Sequence, residues 1–372
     1  MNRSTRVLAE MVVRNSLRVT NSDIVVINTW DWTSGFASAL ALESFKRGAD
    51  VLMTLYTDDF FFGHLAILSE NDLRQTSRHC LELADYATVE IFVGGPLDHS
   101  RFQDLPTSKS AANAQGEQVH WRKNRERRIR TAILDFSAAH PRVAKAYGFD
   151  YSRWKAATSS AVMVDYGGMS KFGMELASRL QDGRRVHIRQ GEDTDLEFEI
   201  SGRTPRVSDG LIDENDVRRG DVFTSLPSGR VEIAPVEASA KGHVKFDLPW
   251  LRSGKAVRGV EWTFEDGHIV ALDADLNLKL LRERWEVATG DRDKIGILML
   301  GINPGAKFGF DINSLVKGAV SIGIGANKHL GGENDTDFSL TCTLSRATLE
   351  IDGTPIVVNG RCVAAKPTEK PR

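Results

Sequence analysis

The run Asp23-Ile24-Val25-Val26-Ile27-Asn28 is short, apolar and unbroken by polar alternation. Such a run suits a strand covered on both faces, as in a parallel sheet between layers of helices. Thr33 and Ser34 can cap the next segment, where Phe36, Ala39 and Leu40 recur at helical spacing. Gly48 ends that helix, and Val51-Leu52-Met53-Thr54-Leu55-Tyr56 returns as a second strand. A strand–helix–strand unit of this kind closes right-handed. Residues 72–86 read as another helix, 88–93 as a third strand closed by Gly94-Gly95, and 128–136 as a fourth strand. The first half is thus an α/β domain with a doubly wound sheet, whose ligands bind beyond the carboxyl ends of the strands.

Those ends carry Trp30-Asp31-Trp32 and Thr57-Asp58-Asp59, which either face a substrate cleft or pack on a neighbouring domain. No Gly-x-Gly-x-x-Gly follows the first strand, so the dinucleotide fingerprint is absent.

At 372 residues the chain is long for one core, and two domains are expected. Residues 141–180 read as a helical connector with one apolar stripe, Met169, Phe172, Leu176 and Leu180. Beyond Gly183 the pattern changes. Residues 185–190 and 195–201 alternate around Gly191-Glu192-Asp193-Thr194, a hairpin signal. Strands and Gly-rich turns dominate from there, with one helix at 276–287. The expected organisation is an α/β domain with its connector at 1–183, an antiparallel, β-rich α+β domain carrying the cleft at 184–365, and a disordered tail at 366–372.

A formal charge of −2 argues against nucleic acid as a partner, since phosphate binding needs a basic face. Residues 122–130 hold six basic side chains and read as a solvated surface segment. Cys80, Cys342 and Cys362 are far apart and have no metal-ligand spacing, which suits a reducing, cytoplasmic setting. No apolar run is long enough to span a membrane, and residues 1–20 lack the apolar core of a signal peptide.

The chemistry-bearing segments come in a fixed order. Gly191-Glu192-Asp193-Thr194-Asp195-Leu196 precedes Leu226-Pro227-Ser228-Gly229-Arg230-Val231-Glu232-Ile233-Ala234-Pro235. Gly301-Ile302-Asn303-Pro304 follows, then the loop 323–332, Asp335-Thr336-Asp337, and a closing Ile351-Asp352-Gly353. This succession resembles the thermophilic metalloaminopeptidase family, of the aminopeptidase T and aminopeptidase S type, over nearly the whole chain. A distant branch of that fold contains iron-dependent dihydroxypyridine ring-cleaving dioxygenases.

The resemblance implies two divalent metals in the C-terminal domain that polarise a peptide carbonyl and generate hydroxide. It also implies a homodimer. At the positions where the family carries ligands, this chain departs. The Glu of Leu-Pro-x-Gly-Glu-Val is Arg230, a second ligand position is Ile297, a histidine position is Ser321, and the final His-x-Asp pair is Asp335-x-Asp337. The two-histidine, one-carboxylate triad of the ring-cleaving branch fails at Ile297 and Asp335 as well.

An arginine cannot ligate a metal. Arg230 either replaces part of the metal charge and binds a substrate carboxylate or phosphate, or is a solubilising cation at a strand edge. A slip of one or two residues puts Glu232 in the ligand position, on the same strand face as Arg230, with Glu237 a weaker candidate. Asp335 and Asp337 would share a strand face, where they hold one hard cation, share a proton, or decorate a surface turn. His329 is a ligand, a general base or a loop residue without function. The glycines of 323–332 invite a phosphate-cradle reading, but no Gly-Lys-Ser/Thr accompanies them.

The expected site is therefore Glu232 and His329 as catalytic groups, Arg230 and Asp335 for substrate, and Asp337 with Asp335 for metal. The expected function is that of a divergent aminopeptidase-like protein acting on an amide or peptide-like small substrate. Its metal site is reduced or absent, with room for one divalent ion (Zn, Co, Mn or Fe). The alternatives are different chemistry on the same fold, either dioxygenase-like or amide-forming, and a non-catalytic protein that binds a small ligand.

Overall fold

A computed structural model describes residues 3–252 and 254–363. The tail expected from residue 366 lies outside the described residues. By its contacts the chain divides into two compact units, one of residues 1–162 with Gly210–Ser228, the other of Met163–Asp209 with Gly229–Arg372.

The first unit is built on a five-stranded sheet in the order Asp50–Tyr56, Ile24–Trp30, Val89–Val93, Arg130–Leu134, Phe223–Ser225. All four pairings are parallel. Val25, Val26 and Ile27 are all buried, as an unbroken apolar run between two layers must be. Helix Ser34–Lys46 follows the first strand, and Gly48, at φ +83°, turns the chain into the second. The fifth strand comes from far along the sequence: Phe223–Ser225 lies against Arg130–Leu134.

The single helix expected at 72–86 is two helices, Glu70–Leu73 and Arg78–Tyr86. The chain is closely packed at this break. The first of the two lies against helix Thr107–Glu126 so closely that a Cβ on Gly116 would stand 2.3 Å from the Leu73 carbonyl oxygen. At the strand ends, the aromatic and acidic residues tie loops of this unit together. Trp32 Nε1 donates to the Gly95 carbonyl at 2.9 Å, and the Asp58 carboxylate accepts from the amides of Leu97 (3.0 Å) and Asp98 (2.9 Å).

The second unit is antiparallel and β-rich. Its eight-stranded sheet runs His268–Asp273, Glu261–Glu265, Lys241–Lys245, Thr194–Glu199, Arg185–Arg189, Thr348–Ile351, Thr354–Val358, Arg361–Cys362. Trp262 is fully buried there between Phe246 and Phe264, with ring centroids 4.7 and 6.2 Å away. Each such side chain contributes roughly 1.5–3 kcal/mol when fully buried. A five-stranded sheet runs Ser339–Leu344, Val320–Gly325, Ile295–Gly301, Arg230–Ile233, Arg206–Ser208. Helix Tyr166–Gln181 carries the expected stripe, with Met169, Leu176 and Leu180 buried. Among the described residues, no helix is long and apolar enough to cross a membrane.

Candidate functional site

The five-stranded sheet has two unlike faces, because side chains alternate along each strand. Val231, Ile233, Leu298, Leu300, Val320, Ile322, Leu340 and Leu344 form a wholly apolar, buried face. The other face is polar at its centre. Register places Arg206 opposite Glu232, Glu232 opposite Met299, Met299 opposite Ser321 and Ser321 opposite Thr343, one row across all five strands. In the adjoining row Ser208 faces Arg230 and Arg230 faces Gly301.

Arg230 Nε donates to Glu232 Oε1 in an ion pair, with 27% of the Arg230 side chain exposed and 6% of the Glu232 side chain. Burial pushes the Glu232 carboxyl up. The charge and hydrogen bond of Arg230, supported by Arg206 and His329, outweigh burial and hold it below the ordinary glutamate value. Glu232 is therefore ionised and accepts hydrogen bonds only. Further along the row, the fully buried Ser321 shares a hydrogen bond with Thr343 Oγ1 at 2.9 Å.

His329 lies on a short 3-10 turn, Lys328–Leu330, within electrostatic reach of Glu232. Leu330 anchors the turn by packing with Ala234 and Ile297, against which Met299 also rests. Glu237 locks the rest of the loop. Its Oε1 accepts from Asn327 Nδ2 at 2.8 Å and from the Glu333 amide at 2.7 Å, and its Oε2 pairs with the Arg203 guanidinium. Arg203 in turn donates to the Gly331 carbonyl at 2.7 Å. Both carboxylate oxygens of Glu237 thus serve the loop.

Asp335 and Asp337 are exposed and precede the strand Ser339–Leu344 instead of lying on it, so no pleat aligns them. Asp335 pairs with Lys328 at 2.7 Å. Asp337 bears on Arg284, whose guanidinium stands 5.7 Å from the Trp250 ring centroid and 5.3 Å from that of Phe338. Burial and the neighbouring Arg252 lower Arg284 to a pKa of about 10, and Asp337 acts in the opposite direction. The structure therefore brings Arg230, Glu232 and His329 into one neighbourhood and gives Asp335 and Asp337 cations of their own. Among the described residues, no three His, Cys, Asp or Glu side chains gather as a metal cage.

The glycines of the loop belong to turns and strands. Gly323 and Gly325 end the strand Val320–Gly325, so no helix N-terminus lies behind them to bind phosphate. Gly301 permits a close approach, since a Cβ there would stand 2.1 Å from the Val316 carbonyl oxygen. Sequence reasoning missed Arg206, which sits on a strand of only three residues, and the Ser321–Thr343 pair, which only the register reveals.

The model of the thermophilic metalloprotease (M29) family matches residues 1–293, which contain Arg230 and Glu232 and end before the strand Ile295–Gly301. Among solved structures, the fold is similar to wild-type AmpT from Thermus thermophilus, with a TM-score of 0.78 and 19% identity over 97% of this chain and 99% of that one. It is also similar to the 2,5-dihydroxypyridine dioxygenase of Pseudomonas putida KT2440, with a TM-score of 0.61 and 14% identity over 97% of each chain. No protein in the curated set matches the chain. By the extent of the family match, this chain belongs to the thermophilic metalloprotease (M29) family.

Proposed function

We propose that this chain acts on an amide or peptide-like small substrate carrying an acidic group, held by Arg230 at a site without the two-metal centre of its family. One observation carries the reading: Glu232, buried and ionised, grips Arg230 through Nε. A guanidinium fixed at that nitrogen is pre-organised for a carboxylate or phosphate, which it recognises in a planar, bidentate way. The donor set does not fit two divalent ions. Arg230 is a cation, Ile297 sits in an apolar cluster, and Ser321 is bonded to Thr343.

A carboxylate held below its ordinary pKa is a weak base, so Glu232 acts by orientation and charge. His329, whose charge Glu232 senses from the loop, is assigned as the general base. Asp335 and Asp337 then hold Lys328 and Arg284 at the margin. A homodimer is the assembly, supported by the exposed Leu52, Met53 and Leu55 on the edge strand Asp50–Tyr56. Three free cysteines support a cytoplasmic setting.

The test combines elemental analysis of the purified protein with turnover on a dipeptide panel, with and without an acidic residue and with and without chelator. Turnover that survives chelation, favours acidic substrates and falls in Arg230→Ala supports the reading. Two tightly bound ions per chain, with activity abolished by chelator, would overturn it. Binding of acidic dipeptides with no turnover would make the protein a ligand-binding one that uses the same arginine.

A further inference from the structure

The hairpin of strands Trp250–Arg252 and Lys255–Val257, in the second unit, gathers positive charge. Its register pairs Trp250 with Val257 and Arg252 with Lys255, without a bulge. Paired residues share a face and alternate residues return to it, so these four side chains stand on one side of the ribbon. At one end of that side Val257 is fully buried. At the other end Arg252 and Lys255 stand directly opposite each other, an arrangement that like charges destabilise.

Trp250 leads from this face to a third cation. The Arg284 guanidinium, from helix Leu278–Val287, stands 5.7 Å from the Trp250 ring centroid and 5.3 Å from that of Phe338. The helix lies against strand Lys255–Val257, and strand Trp250–Arg252 against Ser339–Leu344. Burial and then the charge of Arg252 lower the Arg284 pKa, so Arg252 is within electrostatic reach, and Asp337 is the acid that opposes them. Among the described residues, the side chains of Arg252, Lys255 and Arg284 make no hydrogen bond and no ion pair. Arg292 provides the contrast. It also lies by an aromatic ring, 5.6 Å from the Trp285 centroid, but its guanidinium donates to the carbonyls of Ala288 and Glu286.

Half-burying a guanidinium without using its donors is costly, and bringing further cations to it adds to the cost. A bound oxyanion removes both penalties. The two rings thin the water around Arg284, which strengthens its bonds to an anion, and its planar fork takes two oxygens at once. Three cations against the Asp337 carboxylate leave a surplus of positive charge greater than one. A phosphate monoester carries about 1.5 to 2 negative charges at pH 7, whereas a carboxylate carries one. A nucleic acid is a poor match, since the chain as a whole carries a formal charge of −2.

We propose that Arg284, Arg252 and Lys255 bind phosphate, either the free ion or the phosphate group of a small molecule. Arg284 is the bidentate anchor, and the two hairpin cations complete the neutralisation of charge. The inference does not depend on the reading of the Arg230 site.

The probes are glycerol 3-phosphate, inorganic phosphate and acetate, titrated calorimetrically into the full chain and into its Arg230→Ala variant. Both phosphates should bind both proteins, about tenfold more tightly than acetate and less tightly as salt is added. Tighter binding of the ester assigns the site to a phosphorylated small molecule, and equal binding assigns it to the free ion; either result supports the phosphate site. Arg284→Gln should weaken binding about thirtyfold. Arg252→Glu changes an exposed residue, leaves the core alone, and should weaken it about tenfold. Lys255→Gln should weaken it about threefold. Four results would overturn the proposal: no binding up to millimolar phosphate, acetate bound as tightly as phosphate, affinity unchanged in Arg252→Glu, or binding lost in Arg230→Ala, which would place the anion at Arg230.

Discussion

Arg230 and Glu232 stand on one face of a strand, two residues apart, and are joined by an ion pair in which the acid is the more deeply buried partner. The arrangement is directional. The buried carboxylate orients the half-buried guanidinium, which remains the group accessible from solvent.

Glu232→Gln keeps the shape and removes the charge, leaving Arg230 without its buried counter-ion. Losing one partner of a buried pair costs about 3–5 kcal/mol. Because 27% of the Arg230 side chain is exposed, about 2 kcal/mol is expected. Chemical denaturation of the two proteins at neutral pH measures it.

The same pair sets a pH dependence. The folded-state pKa of Glu232 is lowered, so its contribution to stability is full above the ordinary glutamate value of 4.5 and is lost as pH falls through the folded value. The stability gap between wild type and Glu232→Gln should therefore be constant near neutrality and close on acidification below about pH 4.5. A gap that widens in acid would contradict this sign. Asp23 titrates in the same direction: burial raises it, but hydrogen bonds from Thr88, Thr20 and Arg130 prevail.

Glu237→Ala should free the loop that carries His329. It removes the acceptor of Asn327 and the Glu333 amide and leaves Arg203 unpaired, at a cost of about 3 kcal/mol. Hydrogen exchange should accelerate across residues 326–334 and remain slow in the strand Arg230–Ile233.

Chelation should leave thermal stability unchanged. An ion that bound only the folded state would stabilise it by mass action, about 2.7 kcal/mol at a hundredfold excess over Kd. No such loss is expected from a site whose central residue is a cation. Melting curves with and without EDTA check this directly.

Gly116→Ala should destabilise, although alanine is the better helix former by about 1 kcal/mol. The new Cβ would meet the Leu73 carbonyl oxygen at 2.3 Å, and overpacking of this kind costs about 1–3 kcal/mol. A lowered melting temperature is the expected readout.

The alternation of strand and helix in the first unit was legible because its periods are strong and its apolar runs continuous. The shared face of Arg230 and Glu232 was legible for the same reason, since two-residue periodicity needs no partner strand. Arg206 was not, because three residues carry no period. The break between Leu73 and Arg78 was not legible, and the residue packed closely against it, Gly116, lies about forty residues away in sequence. Asp335 and Asp337 looked like a strand pair, but the strand begins at Ser339, and their partners Lys328 and Arg284 are set by tertiary packing.

Phe223–Ser225 completes the first sheet from a point beyond the hairpin of the second unit. During synthesis, that sheet stays one strand short until residue 225 has left the ribosome, while the edge of Arg130–Leu134 stands open. N-terminal domains usually fold first as the chain emerges. Here the earliest-made unit is closed only by a late-made segment, so a ribosome stalled between residues 162 and 223 would hold a nascent chain with an unsealed sheet.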